Sequence, residues 1–342
     1  MNSLVIRADA NAQIGTGHVM RCLALAQAWQ ARSGKATLVS NELAPALKGR
    51  LQSEGLELVS LGAVSNLNDD AAFLIETARA YNAEWVIVDG YHFDANYQHV
   101  IKKAGLKLLA LDDNGDCEHY YADFILNQNL HATAELYERR EPYTKLLLGT
   151  RYALLRREFL EWQNWERHIP EIAKRVLVTL GGSDPQNVTL RVMRALNEID
   201  IKGMESIVVI GANNPHAKEL EAVAAASCVT MRVEKNATDM PALMAWADVA
   251  IAGAGSTVWE LAFMGLPSIV LRLAENQKEI ARELAARDLG ISISVCNDRT
   301  SELANGMTSL CLDSVLRSNI SHRQQRLVDG AGAARVTSRL EA

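Results

Sequence analysis

Two successive series of short apolar runs, each run separated from the next by a helix-length segment, constrain this 342-residue chain more than any other feature. In the first series, residues 4–6, 36–39, 56–60, 85–88, 106–111 and 124–126 alternate with helical stretches such as 45–54 and 70–81. A second series begins at 176–180 and continues through 206–210, 229–233, 249–252, 268–271 and 291–295. Strand-length runs alternating with helices are the grammar of βαβ units and parallel sheets. The length suggests two domains of roughly 150 to 200 residues each. Between the series, residues 151–175 are rich in Arg, Glu and Trp, with Trp162 and Trp165 ahead of Pro170 and the next strand. The boundary is therefore placed within 160–174, giving an N-terminal domain 1–165 and a C-terminal domain 166–342. The expected class is α/β, with two doubly wound, Rossmann-like domains facing a central cleft. The tail 318–342 reads as a terminal helix of the second domain, interrupted at Asp329-Gly330-Ala-Gly332 and packed on the surface.

Composition narrows the partners. A net charge of −6 argues against a broad footprint for nucleic acid or an anionic membrane, so any anionic ligand must be held locally. Five cysteines (Cys22, Cys117, Cys228, Cys296, Cys311) without a CxxC pair argue against a disulfide framework or zinc knuckle. The chain opens without a basic, apolar leader and has no run of 18 apolar residues, so a cytoplasmic protein without membrane insertion is expected. The oligomeric state is not legible.

The richest local signal is Arg7-Ala-Asp-Ala-Asn-Ala-Gln-Ile-Gly-Thr-Gly-His18-Val-Met-Arg21, in which a strand runs into a glycine turn ending on a histidine. Good helix formers follow, so Gly15 and Gly17 supply the turn and His18 sits in the first helical turn. There the helix dipole disfavours imidazolium, and the ring can take a proton from water or a hydroxyl at the carboxyl end of a parallel strand. A polar residue at a helix start is the alternative.

Two glycine loops mark the second half. Gly181-Gly182-Ser183-Asp184-Pro-Gln-Asn187 follows a strand and opens a helix, an amide-rich turn able to cradle a phosphate or simply to turn the chain. Gly253-Ala-Gly255-Ser256-Thr257-Val-Trp-Glu260 also lies between strand and helix; its hydroxyls and amides suit a diphosphate, and Glu260 can accept bonds from two ribose hydroxyls. Thr257-x-x-Glu260 equally fits a capping box. Two anion-friendly loops in one domain favour a nucleotide.

Asp89-Gly90-Tyr91-His92 and Asp112-Asp113-Asn114-Gly115-Asp116 each follow a strand and are candidates for sugar contacts, as is Glu275-Asn276-Gln277. The acidic cluster raises the alternative of a divalent metal, but Asp-Asn-Gly is a common loop solution. A nicotinamide site is poorly matched: Gly15-x-Gly17 has Met20 at its third glycine position, and Glu42 is a poor ribose-binding acid. No P-loop pattern occurs.

Taken jointly, these residues resemble the UDP-sugar hydrolases of the pseudaminic acid pathway, which act on UDP-2,4-diacetamido-2,4,6-trideoxy-β-L-altropyranose, and their spore-coat polysaccharide relatives. Arg7-x-Asp9, Gln13-Ile-Gly-Thr-Gly-His18-Val-Met-Arg21, Asp89-x-Tyr91, Asp112-Asp113, Asn127-Gln128-Asn129, Gly149-x-Arg151, Gly181-Gly-Ser-Asp184, Gly255-Ser256-Thr-x-x-Glu260, Glu275-Asn276-Gln277 and Asp329-Gly330 occur in family order. The resemblance implies a GT-B-like architecture similar to the nucleotide-sugar glycosyltransferase of peptidoglycan synthesis, with the nucleotide held by the C-terminal domain. It implies hydrolysis without metal or cofactor, in which water attacks the anomeric carbon and UDP leaves. His18 is then the general base or water-positioning residue. Arg7, Asp9, Gly17, Arg21, Tyr91, Asn276 and Gln277 fall on the substrate side, and Gly181, Gly182, Ser183, Gly255, Ser256, Thr257 and Glu260 on the nucleotide side. One departure borders the sugar pocket: the family often has Asp-His-Tyr where this chain has Asp89-Gly90-Tyr91, with His92 two positions on. The runner-up is a GT-B glycosyltransferase in which His18 deprotonates a soluble acceptor.

Overall fold

A computed structural model describes residues 2–341 except 12, 13, 42, 63, 183, 213 and 295–299. It contains two compact units, Met1–Arg157 with Gly330–Ala342, and Glu158–Asp329.

In chain order the first unit contains β1 (Ser3–Ala8), α1 (Gly17–Gln30), β2 (Lys35–Ser40), α2 (Pro45–Ser53), β3 (Glu57–Ser60) and α3 (Leu67–Ala80). It continues through β4 (Ala83–Asp89), α4 (Ala95–Lys103), β5 (Lys107–Leu111), β6 (Phe124–Asn127) and β7 (Lys145–Leu148). The described strands form one sheet in the order β3-β2-β1-β4-β5-β6-β7, with parallel pairing throughout. Strand β7, three leucines between Lys145 and Gly149, is absent from the sequence reading.

Successive side chains of a strand point to opposite faces, so a strand buried on both sides is apolar throughout. Leu4 and Ile6 of β1 and Trp85 and Ile87 of β4 join one core with α1, whereas Val5, Val86 and Val88 join the other with α3 and α4. Helix α3 begins at Asn66, whose side chain accepts from the amides of Asn68 and Asp69 and so satisfies two donors otherwise left open.

A short helix, α5 (Arg157–Leu160), spans the unit boundary. The second unit then has β8 (Arg175–Thr179), α6 (Val188–Asn197), β9 (Glu205–Ile210), α7 (Ala217–Ala225), β10 (Thr230–Lys235) and α8 (Met240–Trp246). After these come β11 (Val249–Gly253), α9 (Thr257–Phe263), β12 (Ser268–Arg272), α10 (Lys278–Ala286), β13 (Ile291–Ser294), α11 (Thr300–Leu312) and α12 (Ser314–Gln325). Its parallel sheet runs β10-β9-β8-β11-β12-β13.

In both sheets the chain winds outward in one direction from its first strand and then returns to that strand's other side. The reversal falls between β1 and β4 in the first unit and between β8 and β11 in the second. Loops diverge at such a switch point, opening a crevice at the strands' carboxyl ends.

The terminal helix α13 (Gly332–Leu340) departs from expectation. It belongs to the first unit, where Val336 and Leu340 are buried in the same core as α1 and the Trp85 indole donates to Leu340 O at 2.8 Å. The approach is close: a Cβ on Gly332 would fall 2.2 Å from Ala153 O. Apolar residues at Ala333, Val336 and Leu340 lie on one helical face, so α13 fills a core and is not a surface appendage. Among the described residues no helix is long and apolar enough to cross a membrane.

Candidate active site

The first switch point gathers several of the buried charged side chains of the N-terminal unit. His18, Arg21 and Cys22 stand at i, i+3 and i+4 of α1 and share one helical face. That face meets Asp89, the last residue of β4, which pairs with Ala8 at the end of β1. His18 Nδ1 lies 2.5 Å from Asp89 Oδ1, and Arg21 donates to both carboxylate oxygens, from Nη2 to Oδ1 and from Nε to Oδ2, each at 2.6 Å. The Cys22 thiol donates to Oδ2 at 3.5 Å. Arg21 Nη1 then donates to Asp113 at 2.8 and 3.0 Å, and Asp113 also accepts from Asn129 Nδ2 at 2.8 Å and Tyr91 Oη at 3.0 Å.

Charge decides where the protons are. Burial pushes the Asp89 carboxyl up, but Arg21 and His18 more than offset it and hold the group well below the usual carboxylate range. Asp113 is lowered in the same way, burial being outweighed by Arg21. Asp89 is therefore ionised, and the proton in its contact with His18 belongs to Nδ1. In the neutral ring this leaves Nε2 as the acceptor, the tautomer a base requires. Tyr91 packs edge-on against the ring, with centroids 5.0 Å apart, and is itself 51% exposed, whereas His18 is 9% exposed.

Arg7 and Asp9 lie in a second buried network beside the first. Arg7 is on the Val5 face of β1 and meets Asp70 of α3, to which Nε donates at 3.1 Å and Nη2 at 2.8 Å. Its Nη1 donates to Asp9 at 2.6 Å. Asp70 accepts from Tyr97 Oη at 2.7 Å, and Asp9 from the Asn41 amide at 2.8 Å. At 1% exposure the Arg7 guanidinium is enclosed by these partners. Arg21 thus braces the carboxylate that faces His18, and Arg7 holds Asp9 and Asp70 in the neighbouring network.

The acidic loop after β5 closes on protein donors. Asp112 Oδ1 accepts from the amides of Asn114 and Gly115 and from Tyr137 Oη, while Oδ2 accepts from Tyr120 Oη. This is an Asx turn buttressed by two tyrosines. Asn127 ties the next strand to the loop, donating to Asp113 O at 3.1 Å. Among the described residues no group of three or more His, Cys, Asp or Glu side chains is arranged to hold a metal ion.

The second switch point joins the two glycine loops. Gly181 has φ +93°, and Gly182 packs so closely on the loop after β9 that a Cβ on Gly211 would fall 1.9 Å from Gly182 O. Ser183 lies outside the described residues. Asp184 caps α6, its oxygens accepting from the Val188 and Thr189 amides at 2.8 Å, so the first free amides of that helix are already used. Helix α9 differs. Its N-cap is Ser256, whose side chain makes no capping bond, and Thr257 is the first helical residue. Thr257 and Glu260 are therefore not the N-cap and N3 of a capping box. Gln277, in the short 3-10 turn Glu275–Gln277 after β12, accepts from Leu273 N at 2.9 Å, and its Nε2 lies 3.9 Å from a Cβ built on Gly255. Gln277 thus stands beside the Gly255 loop in the second unit, with Asn276 preceding it in the same 3-10 turn, and His18, Gly17, Arg21 and Tyr91 are together in the first.

Residues 176–330 match the glycosyltransferase family 28 C-terminal domain. Over the whole chain, the structure is similar to that of Acinetobacter baumannii MurG, with a TM-score of 0.69 at 14% identity, covering 100% of this chain and 99% of that one. The fold is GT-B. In sequence, the chain is 26% identical to the spore coat polysaccharide biosynthesis protein SpsG of Bacillus subtilis over 98% of this chain and 97% of that protein. It is 28% identical to the UDP-2,4-diacetamido-2,4,6-trideoxy-β-L-altropyranose hydrolase of Campylobacter jejuni, over 64% of this chain and 73% of the hydrolase. An uncharacterized protein of Methanocaldococcus jannaschii is 25% identical over 81% of this chain, which spans 57% of that protein's length.

Asp89 and Asp113 hold His18 and Arg21 in the N-terminal unit, yet the sequence offered Asp89 only as a sugar contact and Asp113 as a sugar contact or part of a metal-binding cluster. What would have found them is strand order, since an acid at the end of β4 matters to His18 only because β4 lies beside β1.

Proposed function

We propose that this chain is an enzyme that hydrolyses a UDP-activated amino sugar, UDP-2,4-diacetamido-2,4,6-trideoxy-β-L-altropyranose or a close relative, to free sugar and UDP in surface-glycan biosynthesis. The observation that carries the reading is the His18–Asp89 pair, 2.5 Å apart, which leaves Nε2 of a histidine at a switch point as proton acceptor. The Campylobacter and Bacillus relatives support it.

In the proposed reaction His18 Nε2 takes a proton from water as the water oxygen bonds to the anomeric carbon. The bond from that carbon to the diphosphate oxygen breaks, and UDP leaves with the electron pair. Asp89 keeps the ring oriented and offsets the imidazolium charge that forms. Proton transfer of this kind contributes about 10²- to 10⁴-fold. Gly181, Gly182, Ser183, Gly255, Ser256, Thr257 and Glu260 bind the nucleotide, and amides near the start of α9 stabilise charge on the departing diphosphate. Tyr91 contacts the sugar. The match to a glycosyltransferase domain favours one other reading, transfer of the sugar to a soluble acceptor by the same base.

The test is UDP release from a panel of UDP-N-acetylhexosamines and UDP-diacetamido-trideoxyhexoses, with EDTA present and no acceptor. Release of UDP and free sugar by the wild type, lost in His18→Ala while UDP binding persists, is expected; Glu260→Ala should instead weaken UDP binding, about tenfold. Donor binding with release only after an acceptor is added would establish the transferase.

A further inference from the structure

The turn after β4 carries a polar ring that the His18 network does not use. Phe93 N donates to Gly90 O at 3.4 Å, closing a turn with Tyr91 and His92 at its two central positions. Tyr91 leans on His18. His92 folds back over Gly90: a Cβ at residue 90 would lie 2.9 Å from Cε1 and 3.1 Å from Nδ1 of the imidazole. The missing side chain at residue 90 is what gives the ring its place. Beneath it, His92 packs on Phe93 at 4.0 Å between centroids, Phe93 packs on Tyr97 at 4.7 Å, and the Arg7 guanidinium lies 5.5 Å from the Phe93 centroid. A ring seated on this stack is held in place, yet its side chain stays 44% exposed.

We propose that His92 is a specificity-determining residue that hydrogen-bonds the sugar portion of the substrate and not its diphosphate. The proposal rests on the reading of this chain as an enzyme of UDP-sugars. Position is the first argument: Tyr91 and His92 are the two central residues of one turn, and Tyr91 packs on His18, so the turn that carries His92 borders the group on which His18 acts. Charge is the second. Asp9 Oδ2 stands 3.9 Å behind His92 Nε2, beyond direct hydrogen-bond reach, and a carboxylate there repels a phosphate. Protonation is the third, because burial and the Arg7 guanidinium push the His92 imidazole down. A neutral imidazole offers one donor and one acceptor, which suits a hydroxyl or an acetamido group.

Calorimetric titration with UDP and with the UDP-sugar panel, alongside UDP-release kinetics, tests this on wild type, His92→Ala, His92→Asn, Gly90→Ala and the Gly90→Ala/His92→Ala double variant. We expect His92→Ala to lose about tenfold in UDP-sugar affinity with UDP affinity unchanged and kcat within about twofold, and Asn to restore part of the loss. Gly90→Ala, whose new methyl meets the His92 ring and also Phe93 Cε2 at 3.0 Å, should reproduce the loss, and the double variant, in which only the Phe93 contact remains, should be no worse than Gly90→Ala. Equal losses for UDP and UDP-sugar, or no loss in His92→Ala, would overturn the proposal. A wild type that binds UDP-sugars without releasing UDP sinks the hydrolase reading, while the affinity difference still judges His92. Failure to bind any UDP-sugar overturns both.

Discussion

His18 Nδ1 and Asp89 Oδ1 lie 2.5 Å apart although 71 residues separate them in sequence, and Arg21, one turn along from His18, grips the same carboxylate. The helix that follows β1 and a strand that ends beside β1 make this meeting possible. The carboxylate is thereby kept ionised, and the ring nitrogen it faces becomes the donor.

Asp89→Asn tests that assignment directly. An amide can offer its NH₂ to Nδ1, which puts the ring proton on Nε2 and removes the base. We expect kcat for UDP release to fall by about 10²-fold or more, with UDP affinity unchanged. A variant retaining wild-type kcat would show that ring orientation by Asp89 is not needed.

Arg21 is predicted to matter first for folding. Its guanidinium spans Asp89 and Asp113, each nearly fully buried. Arg21→Met removes the guanidinium shared by both carboxylates and leaves Asp89 with His18 and Cys22 and Asp113 with Asn129 and Tyr91, at a cost of about 3–5 kcal/mol in urea unfolding, because buried charge without its cationic partner is poorly tolerated. Arg21→Lys should recover only part of this, since one ammonium cannot reproduce the planar fork.

Acid should unfold the protein through the same carboxylates. Burial raises Asp89, Asp113 and Asp9, but Arg21 outweighs it at the first two and Arg7 at the third, so all three are depressed in the fold. Depressed groups contribute stability that is fully present above the unfolded value, about 3.9, and lost as pH falls through the folded values. Asp112, pushed up by burial, acts in the opposite sense and costs stability once ionised. Unfolding free energy should therefore decline modestly between pH 7 and 5, where the unfolded His92 imidazole takes up a proton that burial and Arg7 deny the folded ring, and fall more steeply below about pH 4 through the carboxylates; a curve with no added steepness below about pH 4 would assign acid sensitivity to other groups.

Asp184 separates helix capping from ligand binding in the second unit. Its carboxylate accepts from the Val188 and Thr189 amides, so Asp184→Ala should lower the unfolding free energy of that unit by about 1 kcal/mol. A change well below ~0.5 kcal/mol would mean that water caps α6 equally well.

The sequence by itself determined the elements and the class of architecture. Runs such as Trp85 to Val88 are apolar on both faces because helices cover both sides of a parallel sheet, and a local pattern records that directly. The glycine turn before His18 and the loop from Gly255 to Glu260 were legible for the same reason: each is a contiguous segment with its own backbone demands. Tertiary structure alone decided which charges meet. Arg7 and Asp70 are 63 residues apart and His18 and Asp89 are 71 apart, and nothing in their local sequence specifies the partner, because pairing depends on strand order. It also assigned α13 to the first unit, since an amphipathic face shows that a helix must be buried but not against which core.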